Sequence, residues 1–239
     1  MNKTKPVPIE FIGTITTEIA AEIDLFLTAC EKGGPWSTVL KGVAKGYAWQ
    51  ARTERSETAV HLAVIKSNAK ILNLLIEAGA DLDEADTNDT TPLMCAIRAL
   101  NKDGVQTLIE AGAKIDKLDD EGWSALMHAC LMSFEPGVAL LVSAGARLDV
   151  VEERGWSALH YAASDSDEGA GCVQVLLTAG AQLDMKGAHE ETPLDVARRA
   201  GCKEITLMLE AEASRREAVE LKRSLGPEPN LDSVKSPRL

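Results

Sequence analysis

One spacing constrains this 239-residue chain more than any other feature: six-residue strings of one form return every 33 residues. Thr58-Ala59-Val60-His61-Leu62-Ala63, Thr91-Pro92-Leu93-Met94-Cys95-Ala96, Ser124-Ala125-Leu126-Met127-His128-Ala129 and Ser157-Ala158-Leu159-His160-Tyr161-Ala162 start 33 apart. Thr192-Pro193-Leu194-Asp195-Val196-Ala197 follows after 35. Gly-Ala pairs at 79–80, 112–113, 145–146 and 180–181 keep the same beat, with steps of 33, 33 and 35. Both markers place one two-residue insertion in the fourth unit, at 164–171, where Asp, Glu, Ser and Gly make a loop. A period in this range marks stacked supersecondary units, because one such unit cannot bury its apolar face alone.

Each unit reads as helix, turn, helix and an extended finger. A Ser or Thr opens each first helix, where its hydroxyl accepts from an otherwise unpaired backbone N–H. Pro92 and Pro193 stand at the first helical position, where proline's missing N–H costs nothing. Second helices such as 71–76 run into Ala-Gly, and glycine supplies the left-handed stop. A Leu/Ile-Asp pair then starts each polar finger, at 83–90, 116–123, 149–156 and 184–191. The slots Leu93, Leu126, Leu159 and Leu194 are expected to form one apolar ladder.

In these strings the chain resembles the ankyrin-repeat family: a T-P-L-H-x-A opening and an L-L-x-x-G-A close, over residues 22–214. The resemblance implies an all-α solenoid of helix–turn–helix units joined by short β-hairpin fingers, about six repeats including two caps. Stepping back 33 from Thr58 puts Leu25-Phe26-Leu27-Thr28-Ala29-Cys30 in the opening slot of an N-terminal cap, 25–57. Interior repeats follow at 58–90, 91–123, 124–156 and 157–191, and a terminal unit at 192–214. There Ala213 replaces the stop glycine, so the helix is expected to run on, through a 215–225 extension. The flanks, 1–21 and 226–239, are Pro- and polar-rich and expected to be partly or wholly disordered.

Composition limits the partners. The formal charge is −12 and the pI about 4.9, which disfavours nucleic acid and anionic membrane surfaces, since both need clustered Lys and Arg. No apolar run reaches the ~18 residues of a membrane span, and 1–10 lacks the apolar core of a secretory signal. Cys30, Cys95, Cys130, Cys172 and Cys202 are odd in number and contain no C-x-x-C, so they read as buried thiols in a reducing compartment. A cytoplasmic protein is expected, with the nucleus as the alternative. The ending Pro237-Arg238-Leu239 departs from the peroxisomal Ser-Lys-Leu signal at its first residue.

Candidate chemistry is sparse. His61 and His160 share a repeat slot, and the resemblance implies a structural role: the histidine of T-P-L-H ties its own turn together. No two histidines stand at metal-ligand spacing. No G-x-S-x-G, phosphate loop, G-x-G-x-x-G or H-E-x-x-H occurs. The acidic runs 81–86 and 119–121 do not follow the twelve-residue calcium loop and read as solvated fingers. No enzyme activity, cofactor or metal is expected.

What is left is surface. The resemblance implies that partners are held by finger tips and by the exposed inner face of each first helix. The residue before each Ser/Thr is such a position: Glu57, Thr90, Trp123, Trp156 and Glu191. Seven and eight positions after each Ser/Thr lie two more, among them Arg98, Leu131, Met132 and Asp165. Trp123, Leu131, Met132 and Trp156 are expected to make an apolar spot rimmed by acidic fingers, the pattern of an interface; packing of the tryptophans on neighbouring fingers is the competing reading. On the first, Trp123→Ala with Trp156→Ala abolishes partner capture and leaves the melt nearly unchanged. Residues 58–197 hold 9 Lys and Arg against 23 Asp and Glu, a net of −14, which favours a partner with a basic surface. The expected function is a non-catalytic adaptor or scaffold, as a monomer or a subunit of a hetero-complex. The alternative is an assembly chaperone or targeting factor that masks a client interface transiently.

Overall fold

The computed structural model of the chain describes residues 25–30, 32, 38, 41, 42, 45, 52–164 and 166–225. The expectations for 1–21 and 226–239, for most of the N-terminal unit and for Asp165 fall outside them. After helical residues 25–30 come α1 Ala59–Ile65, α2 Ala69–Glu77, α3 Pro92–Arg98, α4 Lys102–Glu110, α5 Ala125–Leu131 and α6 Glu135–Ser143. They are followed by α7 Ala158–Ala162, a 3₁₀ turn Asp167–Gly169, α8 Ala170–Thr178, α9 Pro193–Ala200 and α10 Lys203–Leu225. Odd-numbered helices pack on odd and even on even, each against its neighbour in the stack. That order is an all-α repeat solenoid.

The caps explain where each helix starts. Thr58, Thr91, Ser124 and Thr192 precede the first helices in extended backbone, and each side chain accepts an N–H one turn ahead. Ser157 holds the same place, its N–H donating to His160 Nδ1 at 3.1 Å. Asn68 and Asn101 cap α2 and α4. At the equivalent position α6 has Phe134, whose buried ring replaces a polar cap with packing. The stops are the glycines at 79, 112, 145 and 180, with φ between 82° and 90°. Without a Cβ this region costs glycine little. Ala213 allows no such turn, and α10 runs uninterrupted for 23 residues.

One contiguous core extends from Phe26 to Leu209. Leu93, Leu126 and Leu159 are each 1% exposed. Leu194 departs from the expected ladder: it is half-buried, packed against the core, and among the described residues no further first helix follows α9 in the stack. The fingers are turns rather than paired strands. Among the described residues the sole ladder element is an isolated antiparallel bridge between Leu118 and Ser124.

Candidate protein-binding surface

The fingers repeat one construction. The backbone N–H of residues 53, 86, 119, 152 and 187 donates to the carbonyl of 57, 90, 123, 156 and 191 in turn. An oxygen at the first position then ties the loop: Asp86 Oδ1 accepts from Asn88 and Thr90 N–H, Asp119 Oδ1 from Glu121 and Trp123 N–H. Glu152 does the same with both carboxylate oxygens, toward Arg154 and Trp156. Neighbouring fingers are joined by backbone bonds, Thr87 to Arg55, Asp120 to Asn88 and Ala188 to Arg154. The acidic runs are therefore the fingers' own ties, with their remaining charge turned outward.

His61 and His160 fasten one unit to the next. Thr58 N–H donates to His61 Nδ1 at 3.1 Å, so Nδ1 carries no proton and Nε2 donates to the Thr90 carbonyl at 3.0 Å. His160 repeats this with Ser157 and the Glu191 carbonyl, at 3.1 and 3.2 Å. Burial lowers both pKa values, partly offset by those carbonyls. His128, one position later in its unit, donates from Nε2 to Asp119 Oδ2 at 2.8 Å and so joins α5 to its finger; burial lowers its pKa too, against the opposing pull of Asp119. The five thiols are buried, and no disulfide joins them. Burial pushes Cys30 and Cys95 up to about 12 and Cys172 to about 11, so they stay protonated and unreactive. Among the described residues no group of His, Cys, Asp and Glu is placed to hold a metal ion.

The two tryptophans are partly packed. Trp123 lies with its ring centroid 4.2 Å from that of Tyr161, and Trp156 meets the same tyrosine edge-on at 5.2 Å. Trp156 also donates from Nε1 to Glu191 Oε1 at 2.7 Å, and this bond holds the Glu191 carboxyl below its ordinary range. Gly187 makes room for that indole, since a Cβ there would stand 2.8 Å from Trp156 Cδ1. Both rings are half-buried. A Trp123→Ala, Trp156→Ala pair would strip both rings from Tyr161, so the melt of that variant is expected to fall.

Two contiguous grooves run between the fingers and the first helices. One, about 640 Å³, is lined by Arg55, Asp86, Ile65, Ala99 and their neighbours; the other, about 380 Å³, by Asp119, Asp120, Glu121, Trp123, Leu131 and Met132. Asn88 and Arg98 line both, which makes them one trough. Leu131 and Met132 are 41% and 44% exposed, and Arg98 is exposed. Thr90 is the correction: it lines the trough floor but is 2% exposed, because His61 pins its carbonyl and Asp86 its N–H. Trp156 does not line this trough. Asp120 and Glu121 do; in the sequence they stand only as solvated finger residues, three and two positions before Trp123.

The family model for ankyrin repeats, built on three copies, matches residues 26–119, 90–152, 111–186 and 135–216. The chain belongs to the ankyrin-repeat family, whose domains bind other proteins. A search of curated proteins finds no match. No helix among the described residues is long and apolar enough to cross a membrane.

Proposed function

We propose that the chain is a non-catalytic adaptor, holding another protein in the trough between its fingers and first helices. The observation that carries this reading is the pair Leu131 and Met132, two large apolar side chains left exposed at the end of α5 beside the Trp123 ring. The other large apolar side chains of the first helices are buried or half-buried in the stack, whereas these two are left largely outside it. A desolvated apolar centre with a polar rim is how protein interfaces are built. The acidic fingers around it favour a partner with a basic face and a salt-sensitive encounter. Five buried thiols outside any disulfide suit a reducing compartment, which supports action in the cytoplasm.

Affinity capture with the full chain and quantitative mass spectrometry tests this. The wild-type chain should retain a partner near one-to-one. Leu131→Glu with Met132→Glu should lose it by at least tenfold, with the melt unmoved because both residues already face solvent. Retention by that variant would remove the trough from the account. Capture far below one-to-one, lost as the client's own complex matures, would turn the reading to a transient assembly chaperone.

A further inference from the structure

The last helix carries an apolar face that the stack does not use. α10 turns Ile205 and Leu209 into the core, and Arg216 donates from Nη1 to the Ala181 carbonyl at 2.8 Å. Beyond it every residue from Glu217 to Ser224 is exposed. Leu207, Ala211, Ser214, Ala218 and Leu221 are exposed as well, the two leucines at 66% and 60%. Their steps of four, three, four and three residues are those of a coiled-coil seam. On an α-helix the five fall within about 80° of one another, on the side away from Ile205, Leu209 and Arg216. The stack itself needs no leucine there. Where α10 has Leu207, six positions before Ala213, the earlier second helices have Asn73, Gln106, Ala139 and Gln174 before their stop glycines. Glu204 holds the preceding seam position and ends the apolar run, and Val219, also exposed, lies to one side of it.

The flanks of this seam differ in charge: Glu210 and Glu217 line one, Arg215 and Lys222 the other. These are the two positions whose charges set partner and orientation in a coiled coil. Glu217 and Lys222 form no ion pair among the described residues. Glu210 holds Arg198 and Arg215 holds Glu212, at 2.7 and 2.6 Å. Surface pairs of this kind contribute little and exchange readily, and Glu212 keeps Arg216 if Arg215 turns away.

We propose that α10 pairs with α10 of a second copy of this chain as a parallel, in-register coiled coil, so that the protein self-associates in place of the expected monomer. Each seam residue then meets its own counterpart across a two-fold axis. Glu217 faces Lys222 of the second copy, Glu210 faces Arg215, and symmetry makes each pair twice. An antiparallel pairing instead sets Glu against Glu and Arg against Lys, and that repulsion selects the parallel form. The two stacks lie on the far side of each helix from the seam. Two heptads make a small interface beside the ~1,200 Å² of a standard one, so association depends on concentration. A dimer offers two troughs at once, which raises avidity for a partner that is itself repeated.

Sedimentation equilibrium of the full chain, from about 5 to about 500 µM, tests this in the range of a weak interface. The mass should rise toward that of a dimer with concentration. Leu207→Glu with Leu221→Glu should keep the chain monomeric, with its melt in dilute solution unmoved because both leucines face solvent. Glu217→Lys and Lys222→Glu should each weaken association at least fivefold, and the two combined in one chain should restore it to within twofold. Ala218→Cys should cross-link to its counterpart under mild oxidation, while circular dichroism checks that every variant folds. A monomer at all concentrations, or association unmoved by the leucine variant, would overturn the proposal. So would an antiparallel result, in which Glu217→Lys alone has no effect and Ala218→Cys stays unlinked. The adaptor reading does not depend on any of these outcomes, since the Leu131 and Met132 variant tests it separately.

Discussion

His61 and His160 each need a neutral ring, because Nδ1 must accept while Nε2 donates. Protonation puts a donor against the Thr58 or Ser157 N–H. Their folded pKa values lie below the unfolded value near 6.5, so the stability they contribute is full above that value and is lost as pH falls below it. Scanning calorimetry should therefore show the melting temperature falling as pH drops below about 6.5. The depressed carboxylates act in a lower window: Glu212, brought to about 2 by Arg215 and Arg216, and Asp195, held down by Thr192, lose their contribution only as pH drops below the ordinary carboxylate range. At pH 7, His160→Ala should cost about 1–3 kcal/mol in urea denaturation, since it orphans a buried N–H and a carbonyl, and should flatten the upper part of the pH slope. The family resemblance implies a structural role for these histidines within their own turn; their bonds to the next unit are what the structure adds. The burial of Thr90 was not legible in the sequence, because what buries it is a bond from a ring 29 positions earlier.

Helices here gain little from their own length and much from neighbours. First helices of five to eight residues are too short to persist alone in water, so each rests on its cap and its flanking units. Leu126, packed between α3 and α7, should cost about 2–5 kcal/mol on mutation to Ala. Leu194 holds the same slot half-buried, with no further first helix beyond it among the described residues, and should cost about 1–2 kcal/mol. Equal losses in paired urea titrations would show that the terminal unit is covered after all. Starts and stops of these elements could be read directly, from Ser/Thr caps and glycine stops, because both act within one turn. The finger conformation could not. The expected hairpins are turns tied by Asp86, Asp119 and Glu152, and a side chain that satisfies two backbone N–H groups removes the need for a strand partner.

Across the whole molecule, stability and recognition use different residues. The stack rests on interfaces between adjacent units, as in other solenoids, and its buried ladder ignores what lies in the trough. The trough in turn exposes Leu131, Met132, Asp120 and Glu121, none of which fastens one unit to the next through its side chain. The tryptophans sit on the boundary between the two roles. Trp123 faces the trough and braces Tyr161; Trp156 is tied to Glu191 and the next finger. Their common slot suggested one site, and the division arises because Gly187 leaves space for one ring to turn toward its neighbour. Amide hydrogen exchange on the full chain, free and with its captured partner, tests this separation most directly. Exchange should slow in the finger at 119–123 and around 88–90, with the second helices α2, α4, α6 and α8 unchanged. Protection confined to those second helices would place the partner on the opposite face and contradict the account.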